Sequence, residues 1–508
     1  MSVALRWIGL FSFTLILAGC HSMSADGLSG SSYSMPAGGD FGATPGGVQS
    51  LTTAREFVNH GHVPPAEAFV VEGMFSEHDL PLSGEPCDNV LCVRGALGIA
   101  PDTDEEDSVW VQVGLSSTID PDNFERQPIA IVAVVDVSGS MGWGYQNDNS
   151  PGEISRELLL QLSSRLNSED RIAIVAFGSD VNTVLEPTPG GAPTVAAAIN
   201  NLSADGVTNL EDGLRQGYAL AEQAVDVYDE VRVILFSDMQ PNVGLTAPSD
   251  FEQIAADGAD EGVSLTVLGL GLGLDQAFLN KMSYLRGGNA FSLMTSSAVD
   301  EFIADHWPWF VSPIAYDLHF SAESCSDLEV KAAYGFPGSQ SAEEPSLDVA
   351  TVFLSKNRGA LLLELKALNG ASLSDAHVDL NLSYTRPDGS QVSKAIDLEY
   401  NDESVDACGV YMPQAGIDKT VALALLTEAL EQSTSLYQSS QHAAAAHLAA
   451  ALERFDVAAD RLNDAGLDDE ALFWPKLLQL IDEGAPQGDF YGQSFSSPAS
   501  NQPTNPWL

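Results

Sequence analysis

The sequence is short of positive charge. Among 508 residues there are 21 Lys and Arg, of which only seven are Lys, against 71 Asp and Glu, and the formal net charge is −50. Nucleic-acid binding needs the opposite sign of charge, because Lys and Arg neutralise the phosphates and release their counterions. The composition therefore excludes nucleic acid as a partner. By the same reasoning it excludes unaided adsorption to anionic lipid.

Cysteine is also rare, with five residues and no Cys-x-x-Cys pair, which argues against zinc or dithiol redox chemistry. Cys20 follows an apolar run from Ile8 to Leu17. That run is too short to cross a membrane and is typical of a signal peptide. The sequence therefore predicts a secreted protein.

The residues Leu17-Ala18-Gly19-Cys20 resemble the bacterial lipobox. The resemblance implies a signal peptide over 1–19, cleavage before Cys20, and a lipid on its thiol that anchors the protein to a membrane of the cell envelope. Because His21 is not Asp, the outer membrane is favoured. An ordinary cleaved signal peptide is the alternative.

The four other cysteines form an even number, as expected in an oxidising compartment. Cys87 and Cys92 are close enough in sequence for a local bridge, which leaves Cys325 to pair with Cys408. Three pairings can be drawn, and free buried thiols are the alternative.

Signatures of catalysis are missing as well. There is no Walker phosphate loop, nucleophile elbow or His-Glu-x-x-His motif. The glycines at 269, 271 and 273 follow an apolar run, but Leu274 breaks the dinucleotide-binding spacing Gly-x-Gly-x-x-Gly. We therefore expect a protein that is not an enzyme.

The chain does contain a cluster of oxygen ligands behind an apolar run. The run from Ile129 to Val135 ends in Asp136, and Ser138 and Ser140 follow it. A carboxylate and hydroxyls without Cys or His favour a hard divalent cation. The hydroxyls also leave most of the charge of the cation for an incoming acidic ligand.

Two further segments carry side-chain oxygens that could reach the same end of the sheet as Asp136. Asp238 follows a second apolar run, Val231 to Phe236, and Thr208 lies in a turn that leads into a helix. Ligands of parallel sheets bind at the carboxyl ends of the strands. The order of the three segments predicts one metal site.

This pattern resembles the metal-ion-dependent adhesion site of the von Willebrand factor type A (VWA) domain family, over roughly 127–307. The resemblance implies that Ser138, Ser140 and Thr208 bind the ion directly, and that Asp136 and Asp238 bind it directly or through water. It also implies Mg²⁺, with Mn²⁺ or Ca²⁺ as alternatives, and a last coordination position for a Glu or Asp of a protein ligand. Met239 stands where the family usually has Gly.

Apolar runs near 129–135, 171–177, 231–236 and 263–269 alternate with helix-like segments. This alternation predicts an α/β fold with a doubly wound, mainly parallel sheet. Segments of period two lie on both sides, with Arg386 to Gly389 as a hairpin turn. We expect one flanking β-sandwich into which the α/β domain is inserted. Two separate small β-domains are the alternative.

Towards the C-terminus the pattern becomes helical. Asp418 is the predicted N-cap of a helix to about Tyr437, a second helix runs from Gln441 to Leu462, and Trp474-Pro475 begins a last short one. The predicted order is signal peptide 1–19, flexible spacer 20–64, first part of the sandwich 65–125, VWA domain 126–311, second part of the sandwich 312–415, helical hairpin region 416–484 and disordered tail 485–508.

The chain as a whole is expected to be a lipid-anchored envelope protein that binds a protein ligand through the metal site. The order of its segments is similar to bacterial relatives of the inter-alpha-trypsin inhibitor heavy chains and of the Ca²⁺-activated chloride channel regulators. The alternative is a structural or assembly factor of the envelope, in which the metal mainly stabilises the VWA domain.

Overall fold

The computed structural model describes residues 41–87, 89–120, 124–143, 149–203, 206–271, 274–307, 309–324, 327–338, 347–401 and 410–488. The predicted signal peptide and three cysteines, Cys20, Cys325 and Cys408, lie outside these residues. The same holds for most of the predicted tail, from residue 489 onwards.

In this part of the chain the strands are β1 Phe41–Pro45, β2 Gly47–Val48, β3 Leu91–Pro101, β4 Asp107–Ser117, β5 Ile129–Asp136, β6 Arg171–Phe177, β7 Val181–Pro189, β8 Glu230–Ser237, β9 Ser264–Leu270, β10 Gly288–Leu293, β11 Pro313–Ser324, β12 Leu328–Tyr334, β13 Asp348–Ser355, β14 Gly359–Ala367, β15 His377–Thr385 and β16 Gln391–Glu399. The α-helices are α1 Thr52–Asn59, α2 Val71–Glu77, α3 Pro151–Ser164, α4 Pro193–Asn200, α5 Leu210–Ala221, α6 Pro248–Asp260, α7 Gln276–Ser283, α8 Ser297–His306, α9 Ala415–Tyr437, α10 Gln441–Leu462, α11 Ala465–Phe473 and α12 Pro475–Glu483.

The inserted domain is built on a sheet in the order β2-β10-β9-β8-β5-β6-β7. Its neighbouring strands are parallel except β6 and β7. Helices α3, α4 and α8 cover one face, and α5, α6 and α7 cover the other. The central strands are apolar throughout because both faces are buried. The predicted α/β doubly wound fold is confirmed.

The strands before and after the insert share a second sheet, in the order β12-β14-β4-β1-β13-β11-β15-β16, with β3 also paired to β4. Pairing of β4 with β14 from Leu115↔Gly359 to Val109↔Leu365 joins the two flanks directly. The sheet folds over itself, because β4 and β15 share one apolar core although three strands separate them. The flanks therefore form a single β-sandwich, and the alternative of two β-domains is wrong.

Residues 41–48 correct the predicted spacer over 20–64. Every residue of β1 is buried, and β1 pairs with β13 and β4 of the sandwich. Strand β2 pairs with β10 of the inserted domain. The small residues reflect close packing, since a Cβ at Gly42 would lie 1.6 Å from the Asn357 carbonyl oxygen. This segment ties the two sheets together.

The segment over 65–125 also differs from the prediction, because it is helical before it is extended. Helix α2 precedes β3 and packs into the largest apolar core. Helix α1 packs into the same core, although it lies within the predicted spacer. Short helices of this kind have little periodicity in sequence and depend on tertiary contacts for their stability.

The C-terminal helical hairpin is confirmed as α9 and α10, followed by α11 and α12, which meet at Trp474. Gln414, not Asp418, is at the N-cap of α9. Asp418 instead accepts a hydrogen bond from Arg461 Nε of α10 at 3.0 Å. The predicted disordered tail begins too early, because Gln487 Nε2 donates to the Thr434 carbonyl oxygen at 2.6 Å.

One apolar core connects the parts of the molecule. It runs from the α5–α7 face of the inserted domain through α1 and α2 to α9, α10 and α12, and includes Trp110 of the sandwich.

Among the described residues, no helix has the length and apolar character needed to cross a lipid bilayer.

Candidate metal centre

The carboxyl end of β5 carries Asp136, which is 1% exposed. Asp136 Oδ1 accepts a hydrogen bond from Ser138 N at 2.8 Å, and Oδ2 accepts one from the Ser237 hydroxyl at 2.7 Å. Ser237 ends β8, the strand beside β5. The carboxylate is therefore fixed between two neighbouring strand ends.

The turn after β5 presents two hydroxyls side by side. Ser138 Oγ lies 3.1 Å from Ser140 Oγ; Ser138 is buried and Ser140 is half-buried. Adjacent oxygens in an octahedral shell with metal–oxygen distances near 2.1 Å are about 3 Å apart. The spacing of the two hydroxyls is therefore compatible with ligands of one ion.

The loop of Thr208 is hydrogen-bonded both to this turn and to the loop after β8. Gly139 N donates to the Gly206 carbonyl oxygen at 3.2 Å. Thr208 N donates to Asn242 Oδ1, in the loop after β8, at 3.0 Å. Thr208 is 1% exposed.

The loop after β8 carries Asp238, which is fully buried. The next residue, Met239, has φ 59°, and its N–H donates to the Ser237 hydroxyl at 3.0 Å. A left-handed conformation costs a residue other than glycine about 1–2 kcal/mol, which explains why glycine suits this position. The Met239 side chain is fully buried in the apolar core beneath, which offsets part of that cost.

The geometry thus brings the three sequence segments together at one edge of the sheet. Residues 131–240, which include all of them, match the family model of the von Willebrand factor type A domain. The chain contains a VWA domain.

Known relatives share this domain at low identity. The uncharacterized protein YfbK of Escherichia coli K12 is 25% identical over 281 residues, which cover 54% of this chain and 48% of YfbK. Human inter-alpha-trypsin inhibitor heavy chain H2 is 23% identical over 219 residues, which cover 41% of this chain and 22% of the heavy chain. The chain thus spans less than half the length of these relatives.

A solved structure also aligns with most of the chain. The von Willebrand factor type A protein from Catenulispora acidiphila aligns with 77% of this chain and 90% of its own, with a TM-score of 0.49 and 12% identity.

Within the VWA domain, the two acidic side chains lie close enough to repel each other. Burial and the charge of Asp238 raise the pKa of the Asp136 carboxyl above its usual range, although hydrogen bonds from Ser138 and Ser237 oppose the shift. Two buried carboxylates are costly without a compensating cation. Together with the three hydroxyls they form the oxygen donor set that suits a hard divalent ion. These residues therefore fit such an ion.

Of the predicted disulfides, the structure describes the bond between Cys87 and Cys92, whose Cα atoms are 5.8 Å apart. The pairing of Cys325 with Cys408 stays a prediction.

The sequence patterns gave no sign of another group with the geometry of metal ligands. His377 of β15 and Asp397 and Glu399 of β16 offer ligand atoms within 4.8 Å of one another, the one such group among the described residues. His377 lies opposite Glu399 in the register of the two strands. Alternating polar residues in both strands were visible in sequence, but the register between them was not. Asp397 and Glu399 are exposed, and His377 Nε2 lies 2.8 Å from Asp397 Oδ1, as in a surface ion pair.

Proposed function

We propose that the VWA domain binds a protein ligand through a divalent cation, most readily Mg²⁺, held by Ser138, Ser140 and Thr208 with Asp136 and Asp238. The observation that carries the proposal is the convergence of two buried carboxylates and three hydroxyl-bearing side chains at one sheet edge. The ligand would contribute a Glu or Asp side chain. The proposal is one of binding without catalysis.

The proposed role of each side chain follows from its charge. When bound, the cation would supply positive charge for the carboxylate of the ligand. Asp136 and Asp238 would hold it, and the neutral hydroxyls of Ser138, Ser140 and Thr208 would fill coordination positions without cancelling its charge. Because Asp136 and Asp238 are buried, the low local dielectric would strengthen their hold on the cation. The VWA domains of the relatives described above support a role in protein interaction or adhesion.

Capture of the ligand from envelope extract is the direct test. Immobilised wild-type protein is expected to retain a ligand in Mg²⁺ and to release it in EDTA. The Ser138→Ala variant should retain at least tenfold less, since about 1.4 kcal/mol of lost binding corresponds to tenfold. The matched control is Ser164→Ala, a serine at the end of α3 whose hydroxyl donates to the Gln161 carbonyl oxygen of the same helix at 2.6 Å. Equal retention of the same ligand in EDTA would contradict the metal-bridged mode.

We further propose that the protein is anchored in the bacterial cell envelope, at the outer membrane, by a lipid on Cys20. The support is the apolar run and the Leu-Ala-Gly-Cys segment at 17–20. A Cys20→Ser variant is expected to move from the membrane fraction to the soluble fraction, measured by fractionation and immunoblot. An unchanged distribution would contradict the anchor at Cys20.

A further inference from the structure

A cavity of about 450 Å³ lies where the three parts of the molecule meet. Its walls come from Glu67 and Glu72 before β3, Tyr284 at the end of α7, Tyr334 of β12, and Glu428 and Glu431 of α9. We call it the junction cavity. Four of its lining residues are acidic, and none of the described residues that line it is Lys, Arg or His. The molecule therefore concentrates negative charge there without a balancing cation in the wall.

Glu72 is the most deeply placed of these carboxylates. It is 7% exposed, and its Oε1 has no hydrogen-bond partner among the described residues. Burial raises the pKa of Glu72 to about 7, and the negative charge of Glu431 adds to the shift, while a hydrogen bond with Tyr284 opposes it. A buried carboxylate oxygen that lacks a partner is costly. A positive charge in the cavity would relieve that cost.

A second carboxylate of the cavity wall, Glu428 of α9, is half-buried. The Tyr334 hydroxyl lies 3.1 Å from Glu364 Oε2 and 3.2 Å from Glu428 Oε2. A phenol has one hydrogen to donate, so it cannot satisfy both carboxylates. Glu364 has further partners, since Lys331 Nζ lies 3.1 Å from its Oε1 and Ser108 donates to the same oxygen at 2.8 Å. Glu428 Oε1 also accepts a hydrogen bond from Gln432 Nε2 at 2.9 Å, but this amide is neutral. The charge of Lys331 offsets part of the negative charge of Glu428, and a cation in the cavity would offset the rest.

The spacing of the carboxylates decides which kind of cation fits. A bare metal ion needs ligand oxygens at about 2.0–2.6 Å, which places them within about 5 Å of one another. Among the described residues, no three acidic side chains of the junction cavity bring their oxygens within 4.8 Å. The charges are spread instead from the buried Glu72 to the exposed Glu67 and Glu431 at the rim. Two tyrosines, Tyr284 and Tyr334, also line the cavity, and phenol rings favour organic cations.

We propose that the junction cavity binds a small organic cation with two or more ammonium groups. One ammonium group would lie towards Glu72, and a second between Glu428 and Glu431. Each ammonium has three hydrogens to donate, and the methylene chain between them would lie along the aromatic and aliphatic wall. The volume is in the range of small-molecule sites. Because the walls come from all three parts, an occupied cavity would hold the VWA domain, the sandwich and the hairpin together.

Spermidine is the probe for this site. It is titrated calorimetrically into the full-length protein at fixed ionic strength. A protein with a formal charge of −50 will bind spermidine weakly elsewhere, so the site is defined as the saturable component with a stoichiometry of one. Glu72→Gln keeps the size of the side chain and removes its charge. We expect at least about tenfold weaker binding in this variant, the factor that corresponds to 1.4 kcal/mol. The matched control is Glu222→Gln, an exposed glutamate after α5, which should bind as the wild type does.

A second variant and two competing cations distinguish a polyamine site from other kinds of site. Glu428→Gln should weaken binding as well, and it replaces Glu72→Gln if that variant does not fold. Butylamine, with one ammonium, should bind at least tenfold more weakly than spermidine. Equal binding of spermidine to wild type and both variants would overturn the proposal. So would complete displacement of spermidine by an equal concentration of Ca²⁺ at the same ionic strength, because the site would then be one for metal ions.

Discussion

Replacing Asp136 with Asn is expected to abolish the Mg²⁺-dependent rise in melting temperature and, with it, capture of the ligand. At a hundredfold excess of free ion over its dissociation constant, a bound ion stabilises the fold by about 2.7 kcal/mol. Asn keeps the shape of Asp136 but removes one of the two charges that would hold the ion. The measurement is a thermal melt of wild type and variant in Mg²⁺ and in EDTA.

The same substitution is expected to act in the opposite direction without metal. Asp136 is buried, and Asp238 repels it, so removal of its charge should leave the metal-free domain at least as stable as the wild type. Asp260→Asn is the matched control, because this exposed residue ends α6 before the amino end of β9, at the opposite edge of the sheet. It should keep the full shift in Mg²⁺. If the Asp136→Asn variant shows the same Mg²⁺-dependent rise in melting temperature as the wild type, Asp136 is not a ligand of the metal ion.

Replacing Glu470 with Ala is expected to destabilise the protein by about 3–5 kcal/mol, the usual cost of leaving a buried charge without its partner. Glu470 of α11 is 4% exposed. It accepts hydrogen bonds from Arg55 Nη1 at 3.0 Å and Nη2 at 2.7 Å, from Trp474 Nε1 at 2.6 Å, and lies 3.1 Å from His78 Nε2. Without it, Glu77 would be the one charged partner left to the guanidinium of Arg55 among the described residues. The measurement is unfolding in denaturant.

The pH dependence of the stability lost on substituting Glu470 shows whether the loss comes from its charge. Burial alone would raise the pKa of Glu470, but hydrogen bonds and charges from His78 and Arg55 outweigh it and lower the pKa to about 2. A lowered pKa means that the stabilisation is fully present above the unfolded value, near 4.5, and is lost as the pH falls through about 2. The stability difference between wild type and Glu470→Gln should therefore narrow over this acid range. A difference that does not change with pH would point to packing and not to charge. Glu483→Gln, at the exposed end of α12, is the control.

Much of the inserted domain could be predicted because its signals are local. Strands such as Ile129–Asp136 are buried on both faces and therefore appear as continuous apolar runs. The candidate ligands were found in the same way, since Asp136 directly follows one such run and Asp238 lies two residues after another. Their assignment to a metal ion stays a prediction that the melts and the capture experiment test.

The misread segments share a different cause. Residues 41–48 contain small residues that are typical of a spacer, yet the packing around Gly42 requires them. The side chain of Asp418 is suited to a helix N-cap, but it pairs with Arg461 on the neighbouring helix. In both cases a distant part of the chain, invisible in the local sequence, decides what the residue does.

The sequence alone determined the class of the inserted fold, the positions of the candidate oxygen ligands near its strand ends and the acidic character of the whole chain. Hydrophobic periodicity and charge are properties of neighbouring residues, so they can be read without a structure. Only the tertiary structure decided that residues 41–48 join the two sheets, that Arg55 meets Glu470, and that Glu72 and Glu428 face one cavity. These contacts connect residues that are far apart in the chain, and their register depends on how the three parts pack.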